Sequence, residues 1–172
     1  MEQDEPESID TSNGGENSNV WKPIWRMRVS NRVKSLVWRA ETNSLPTRVN
    51  LVWRQILTEA VCQECKVQPE DTLHALWSCS NLKDTWKVHF GKLMIETSTC
   101  SSFLEILECA SAEKSSFDLF AMMIFEFWQH QNKVRVGETV LLLRFLPRHM
   151  VLSKNFSNYA PFILKFEGQP MQ

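Results

Sequence analysis

A chain of 172 residues, 43% hydrophobic and 23% charged, is long enough to bury one core and has the makeup of an ordinary soluble protein. Its net charge of −1 hides an uneven distribution, with six acids and no bases in residues 1–18 and a basic remainder. Seven tryptophans against five glycines and one tyrosine do not suggest a strand-and-turn protein; no apolar run reaches the about 20 residues that span a bilayer, and five cysteines without an export signal argue against a disulfide framework. The expected compartment is intracellular, nucleus or cytoplasm.

In chain order, residues 1–19 are acidic and Ser/Asn/Gly-rich with almost no apolar side chains, so they cannot offset their ordering entropy and are expected to form a disordered leader. From Lys22 to Arg54 eight Lys/Arg residues stand against one acid, Glu41, a net of +7 interleaved with Trp21, Trp25, Trp38 and Trp53. Val33, Leu36, Val37 and Ala40 follow the i, i+3, i+4, i+7 pattern of a helix capped at Ser30 or Asn31. "NSLP" breaks it. Thr47 is the N-cap of a second helix with Val49, Val52, Trp53, Ile56 and Leu57 on its apolar face, and on these patterns Trp38 and Trp53 belong to the core. A short helix is predicted from Glu70 to Trp77, another from Ser80 or Asn81 carrying Leu82 and Trp86, and two more near 101–109 and 116–134. The expected class is mostly α: a small helical domain over 20–90, a helical extension over 91–138, and a tail over 139–172 with no clear period.

The chemistry-bearing stretch is "VCQECKVQPEDTLHALWSCS", with Cys62, Cys65, His74 and Cys79 spaced C-x2-C-x8-H-x4-C. Zinc takes four thiolate or imidazole ligands in a tetrahedron, and two cysteines separated by two residues reach one ion from a tight turn. On an unbroken α-helix, positions five apart diverge by about 140°, so the helix carrying His74 must end or kink after Trp77 if Cys79 is to join it. The alternative is that buried free cysteines act as small apolar residues; the added His and Cys favour a structural Zn2+ site. A redox C-x-x-C lacks its βαβ surroundings. Cys100, Cys109, His89, His130 and His149 lack partners at ligand spacing and are expected in core or surface roles.

The residues Trp25, Val33, Lys34, Trp38, Arg39, Leu45, Pro46, Thr47, Leu51 and Arg54, followed by Cys62, Cys65, Thr72, His74, Cys79 and Trp86, stand in an order that resembles the reverse transcriptase zinc-binding domain of plant non-LTR retroelements. The resemblance covers about residues 21–90, and "FEFWQHQNK" is similar to a Trp-x-x-Arg-Asn helix that often follows, with Gln131 where Arg is usual. A proline commonly precedes the basic helix in that family; Ser30-Asn31 stand here. Family members usually sit between a polymerase and an RNase H domain. This sequence has no Tyr-x-Asp-Asp signature and no room for RNase H after 139, so the expectation is an isolated fragment of an element's reading frame, or a gene derived from one.

Three functions follow as expectations. The first is a zinc-stabilised module binding RNA or DNA, with Arg26, Arg28, Arg32, Lys34 and Arg39 as phosphate contacts. The second is a structural or protein-interaction spacer whose partner meets the apolar C-terminal segments 117–128 and 140–151. An enzyme is the least supported, since no phosphate-cradling loop, H-E-x-x-H or nucleophile elbow occurs. Neither a membrane nor a small-molecule substrate is expected.

Overall fold

The computed structural model describes residues 20–137; the expected leader over 1–19, residue 138 and the tail over 139–172, with His149, lie outside the described residues. Six α-helices follow in order: α1 (Trp21–Arg26), α2 (Asn31–Glu41), α3 (Arg48–Trp53), α4 (Lys83–Glu96), α5 (Phe103–Ala112) and α6 (Phe117–Arg135). A π-helical turn (His74–Ser78) and a 3-10 turn (Ser80–Leu82) lead into α4. Among the described residues there is no strand, only one antiparallel bridge between Val61 and Pro69. The mostly helical class read from the sequence is the class observed.

Pro23 is tolerated in α1 because it lies in the first turn, where an N–H has no intrahelical acceptor. In α2 the predicted face is the buried one: Val33, Leu36, Val37 and Ala40. The helix ends with Asn43 left-handed at φ 48°, the Asn43 N–H bonding Ala40 C=O (3.2 Å) and the Ser44 N–H bonding Arg39 C=O (2.8 Å). This is a Schellman closure with asparagine in the position usually held by glycine.

α3 departs from expectation. Thr47 caps it as predicted, its side chain accepting from the Asn50 N–H at 3.3 Å, but the helix stops at Trp53 and buries no residue. Gln55 turns left-handed (φ 59°), with the Gln55 N–H on Val52 C=O and the Ile56 N–H on Leu51 C=O, both at 2.9 Å. That second Schellman closure throws Ile56 off the helix face. Trp53 is therefore 84% exposed, and not core. Trp38 is 40% exposed because it sits about 100° around α2 from Val37, beyond the edge of the buried stripe.

The core is aromatic. Trp86 is fully buried, with ring centroids 4.6 Å from Trp77, 5.2 Å from Phe120 and 5.0 Å from Phe127, and its indole N–H donates to Leu76 C=O at 3.0 Å. α5 opens on a serine N-cap: the Ser102 hydroxyl accepts from the Glu105 N–H and donates to the Glu105 carboxylate at 2.7 Å, and that carboxylate also accepts from the Ser101 N–H at 3.2 Å. α6 packs against α2, α5 and the π-helical turn. Its Phe117, Phe120, Ile124, Phe127 and Trp128 are buried, so the apolar run 117–128 is covered by the chain's own core. α4 is kinked at Phe90 (φ −132°, ψ 32°), yet the Phe90 ring lies 5.4 Å from Phe120, and 20–90 and 91–137 share one core.

Candidate metal centre

The C-x2-C pair sits on a minimal hairpin. The Cys62 N–H donates to Gln68 C=O (2.8 Å), the Glu70 N–H to Ala60 C=O (2.8 Å), and the Lys66 N–H to Cys62 C=O (2.9 Å), with Lys66 left-handed at φ 56° to close the turn. Glu70 is thus extended rather than helical, and the helical turns begin at Thr72. Asp71 caps them, its carboxylate accepting from the His74 N–H at 2.6 Å.

The spacing problem between His74 and Cys79 is solved by a change of helix type. The Cys79 N–H donates to His74 C=O at 3.1 Å, an i to i+5 bond that widens the last turn into a π-helix. A ring closed at i+5 brings residues five apart onto one side, and Cys79 then leaves in extended conformation (φ −57°, ψ 132°). The donor atoms of Cys62, Cys65, His74 and Cys79 all lie within 4.8 Å of one another, with His74 Nε2 3.3 Å from Cys65 Sγ. A zinc tetrahedron with bonds near 2.0–2.3 Å has donor–donor edges of about 3.5–3.8 Å, so the residues fit one ion. Cys62, His74 and Cys79 are buried and Cys65 is half-buried.

The four groups act on one another electrostatically. The hydrogen bond with the Cys79 thiol pulls Cys62 down to about 3, and the same bond pushes Cys79 up. Burial raises Cys65, but the N–H groups of Gln68 and Val67, together with His74, outweigh it and bring the thiol below its ordinary value. The hydrogen bond to Cys62 raises the His74 imidazole. The four groups thus share protons among themselves, Cys62 and Cys65 being drawn toward thiolate while Cys79 and His74 hold their protons more tightly.

Around the donors lies a clamp with no signature in the sequence. His130 of α6 meets Glu64, inside the C-x2-C turn, at 2.7 Å, and the Asn81 side chain donates to Glu64 C=O at 3.0 Å. Glu70, fully buried, forms a short ion pair with Arg135, accepts from the Arg48 N–H at 3.3 Å, and through its carbonyl accepts from the Val49 N–H at 3.1 Å. Arg135 also donates to Pro46 C=O at 2.9 Å and stacks over Trp128 with 4.8 Å to the ring centroid. α6 thereby holds both the Leu-Pro-Thr turn and the metal hairpin.

The basic residues singled out in the sequence sit elsewhere. Arg26, Arg28, Arg32 and Arg39 are exposed; Arg39 donates to Ser44 C=O at 3.3 Å, and half-buried Lys34 donates to Trp25 C=O at 3.2 Å. Burial pushes the imidazole of His89 down.

Four sulfur and nitrogen donors from a hairpin and a helix end, gathered inside a helical fold, form a Cys3His group that could hold one metal ion. Residues 8–86 match the family described as zinc-binding in reverse transcriptase. No curated protein and no solved structure matches the chain. Among the described residues no helix is long and apolar enough to cross a membrane.

Proposed function

We propose that this chain is a non-catalytic module, derived from a retrotransposon reverse transcriptase polyprotein, that holds a structural Zn2+ on Cys62, Cys65, His74 and Cys79 and binds nucleic acid through its basic, Trp-rich segment. Four protein donors fill a tetrahedron and leave no open position for substrate or activated water. Thiolate-rich donor sets favour zinc over harder ions, and the ion would tie the hairpin to the helix end.

The observation that carries the nucleic-acid reading is the exposure of Trp21 (53%), Trp25 (40%), Trp38 (40%) and Trp53 (84%) among the cations of 22–54. A large ring left in water is available to stack on an unpaired base, worth about 1–3 kcal/mol, while Arg26, Arg28, Arg32, Lys34 and Arg39 offset phosphate charge.

Two measurements on the purified full chain test this reading. Metal analysis is expected to find near-stoichiometric zinc, lost in Cys62→Ser and His74→Ala and kept in Cys109→Ser. Fluorescence anisotropy with labelled single-stranded RNA is expected to show binding that weakens steeply between about 50 and 200 mM salt. Zinc absent from the wild type overturns the metal assignment, and zinc-loaded protein that leaves RNA free at low salt overturns the nucleic-acid reading.

A further inference from the structure

A cleft of about 400 Å3 lies between α1 and the turn that joins α5 to α6. Buried Met27 and Phe117 make its floor with Pro23. Around them stand Arg26, Arg28, Lys114, Ser115 and Asp118. We infer that this cleft seats a backbone phosphate of single-stranded nucleic acid, an inference that rests on the nucleic-acid reading above.

Three cations from two separate parts of the chain converge here against one carboxylate. Asp118 is already engaged, its Oδ1 accepting from the Arg28 backbone N–H at 3.3 Å. Burial pushes the Asp118 carboxyl up, against the pull of that N–H and of the Arg28 and Lys34 charges. The guanidinium of Arg26 and the ammonium of Lys114 have no hydrogen-bond or ion-pair partner among the described residues. Ser111, also at the wall, donates its hydroxyl to Glu108 C=O at 2.9 Å, so Ser115 supplies the free hydroxyl. The cleft therefore offers unspent positive charge and donors over an apolar floor, which is the complement of a phosphodiester.

The single strand is taken from the broader reading, in which exposed tryptophans stack on unpaired bases. Trp21 and Trp25 lie one turn apart on α1, ring centroids 5.5 Å apart in an edge-on pair, both exposed. The pair does not line the cleft, and a base of the bound strand can stack on it only if it is unpaired. Lys114 lies outside the matched residues 8–86, so the cleft is completed by a part of the chain beyond the matched segment.

The test is a salt series with labelled oligouridine and the zinc-loaded full chain. Lys114→Ala is expected to make the slope of log K against log salt less negative by about 0.7, the loss of one phosphate contact on a single strand. Lys114→Arg should keep the wild-type slope. Lys92→Ala, on α4 and paired with Glu96 at 3.5 Å, should leave it unchanged. Wild-type binding with an unaltered slope in Lys114→Ala overturns the cleft and leaves the broader reading standing. No wild-type binding at low salt overturns both.

Discussion

Gln131 lies 1% exposed on α6, and neither polar atom of its amide has a partner among the described residues. An amide taken from water without a new hydrogen bond costs about 1–3 kcal/mol. Methionine has nearly the same length and no such demand, so Gln131→Met is expected to stabilise the protein by about 1–2 kcal/mol. Urea unfolding in excess zinc would read this as a higher midpoint with an unchanged slope; a lower midpoint would mean that the amide is satisfied in the folded chain. The position shows what single residues disclose. Cys62, Cys65, His74 and Cys79 are legible because ligand spacing is local geometry. The demand at Gln131 is set by helices distant in sequence, and nothing in its neighbours announces it.

At the scale of elements the same contrast separates α2 from α3. Asn43 is a residue that accepts left-handed backbone readily, so the end of α2 can be read from "TNSLP". Gln55 adopts that conformation without any such signal, and the apolar pattern running on to Leu57 suggested a longer, buried helix. The π-helical turn was legible only as a requirement: His74 and Cys79 could not share an ion on an α-helix, but the sequence did not say whether the helix would end or widen. Least legible was the pairing of Glu70 with Arg135, 65 positions apart. Glu70 is fully buried, its Oε2 has no partner among the described residues, and Arg135 is the charge that offsets it. Arg135→Met is therefore expected to cost about 3–5 kcal/mol, most of it the penalty of an uncompensated buried carboxylate. The double variant Glu70→Gln/Arg135→Met keeps an acceptor for the Arg48 N–H and should recover at least half of that loss. Denaturation midpoints at fixed zinc decide the matter; equal losses in the single and double variants would assign the effect to Arg135's contacts with Pro46 and Trp128 instead.

The whole molecule raises the question of whether the matched segment can stand alone. The family match ends at residue 86, yet the hairpin's acids are held by His130 and Arg135, and Trp86 is enclosed by Phe120 and Phe127. Full burial of a large apolar side chain stabilises by about 1.5–3 kcal/mol, so Phe117, Phe120, Ile124, Phe127 and Trp128 together contribute about 8–15 kcal/mol at most. That is as large as the net stability of a typical domain, about 5–15 kcal/mol. An ion held by the four donors would organise the hairpin and the π-helical turn, but it would not cover Trp77 and Trp86. A fragment ending at residue 90 is accordingly expected to bind zinc while losing cooperative thermal unfolding, gaining dye-binding apolar surface and losing the near-ultraviolet signal of its buried tryptophans, as loosely packed states do. Circular dichroism melts of the zinc-loaded fragment beside the full chain provide the comparison. A sharp transition at the full chain's temperature would show that 20–90 carries a sufficient core of its own, and that α5 and α6 are an accessory layer rather than the other half of the fold.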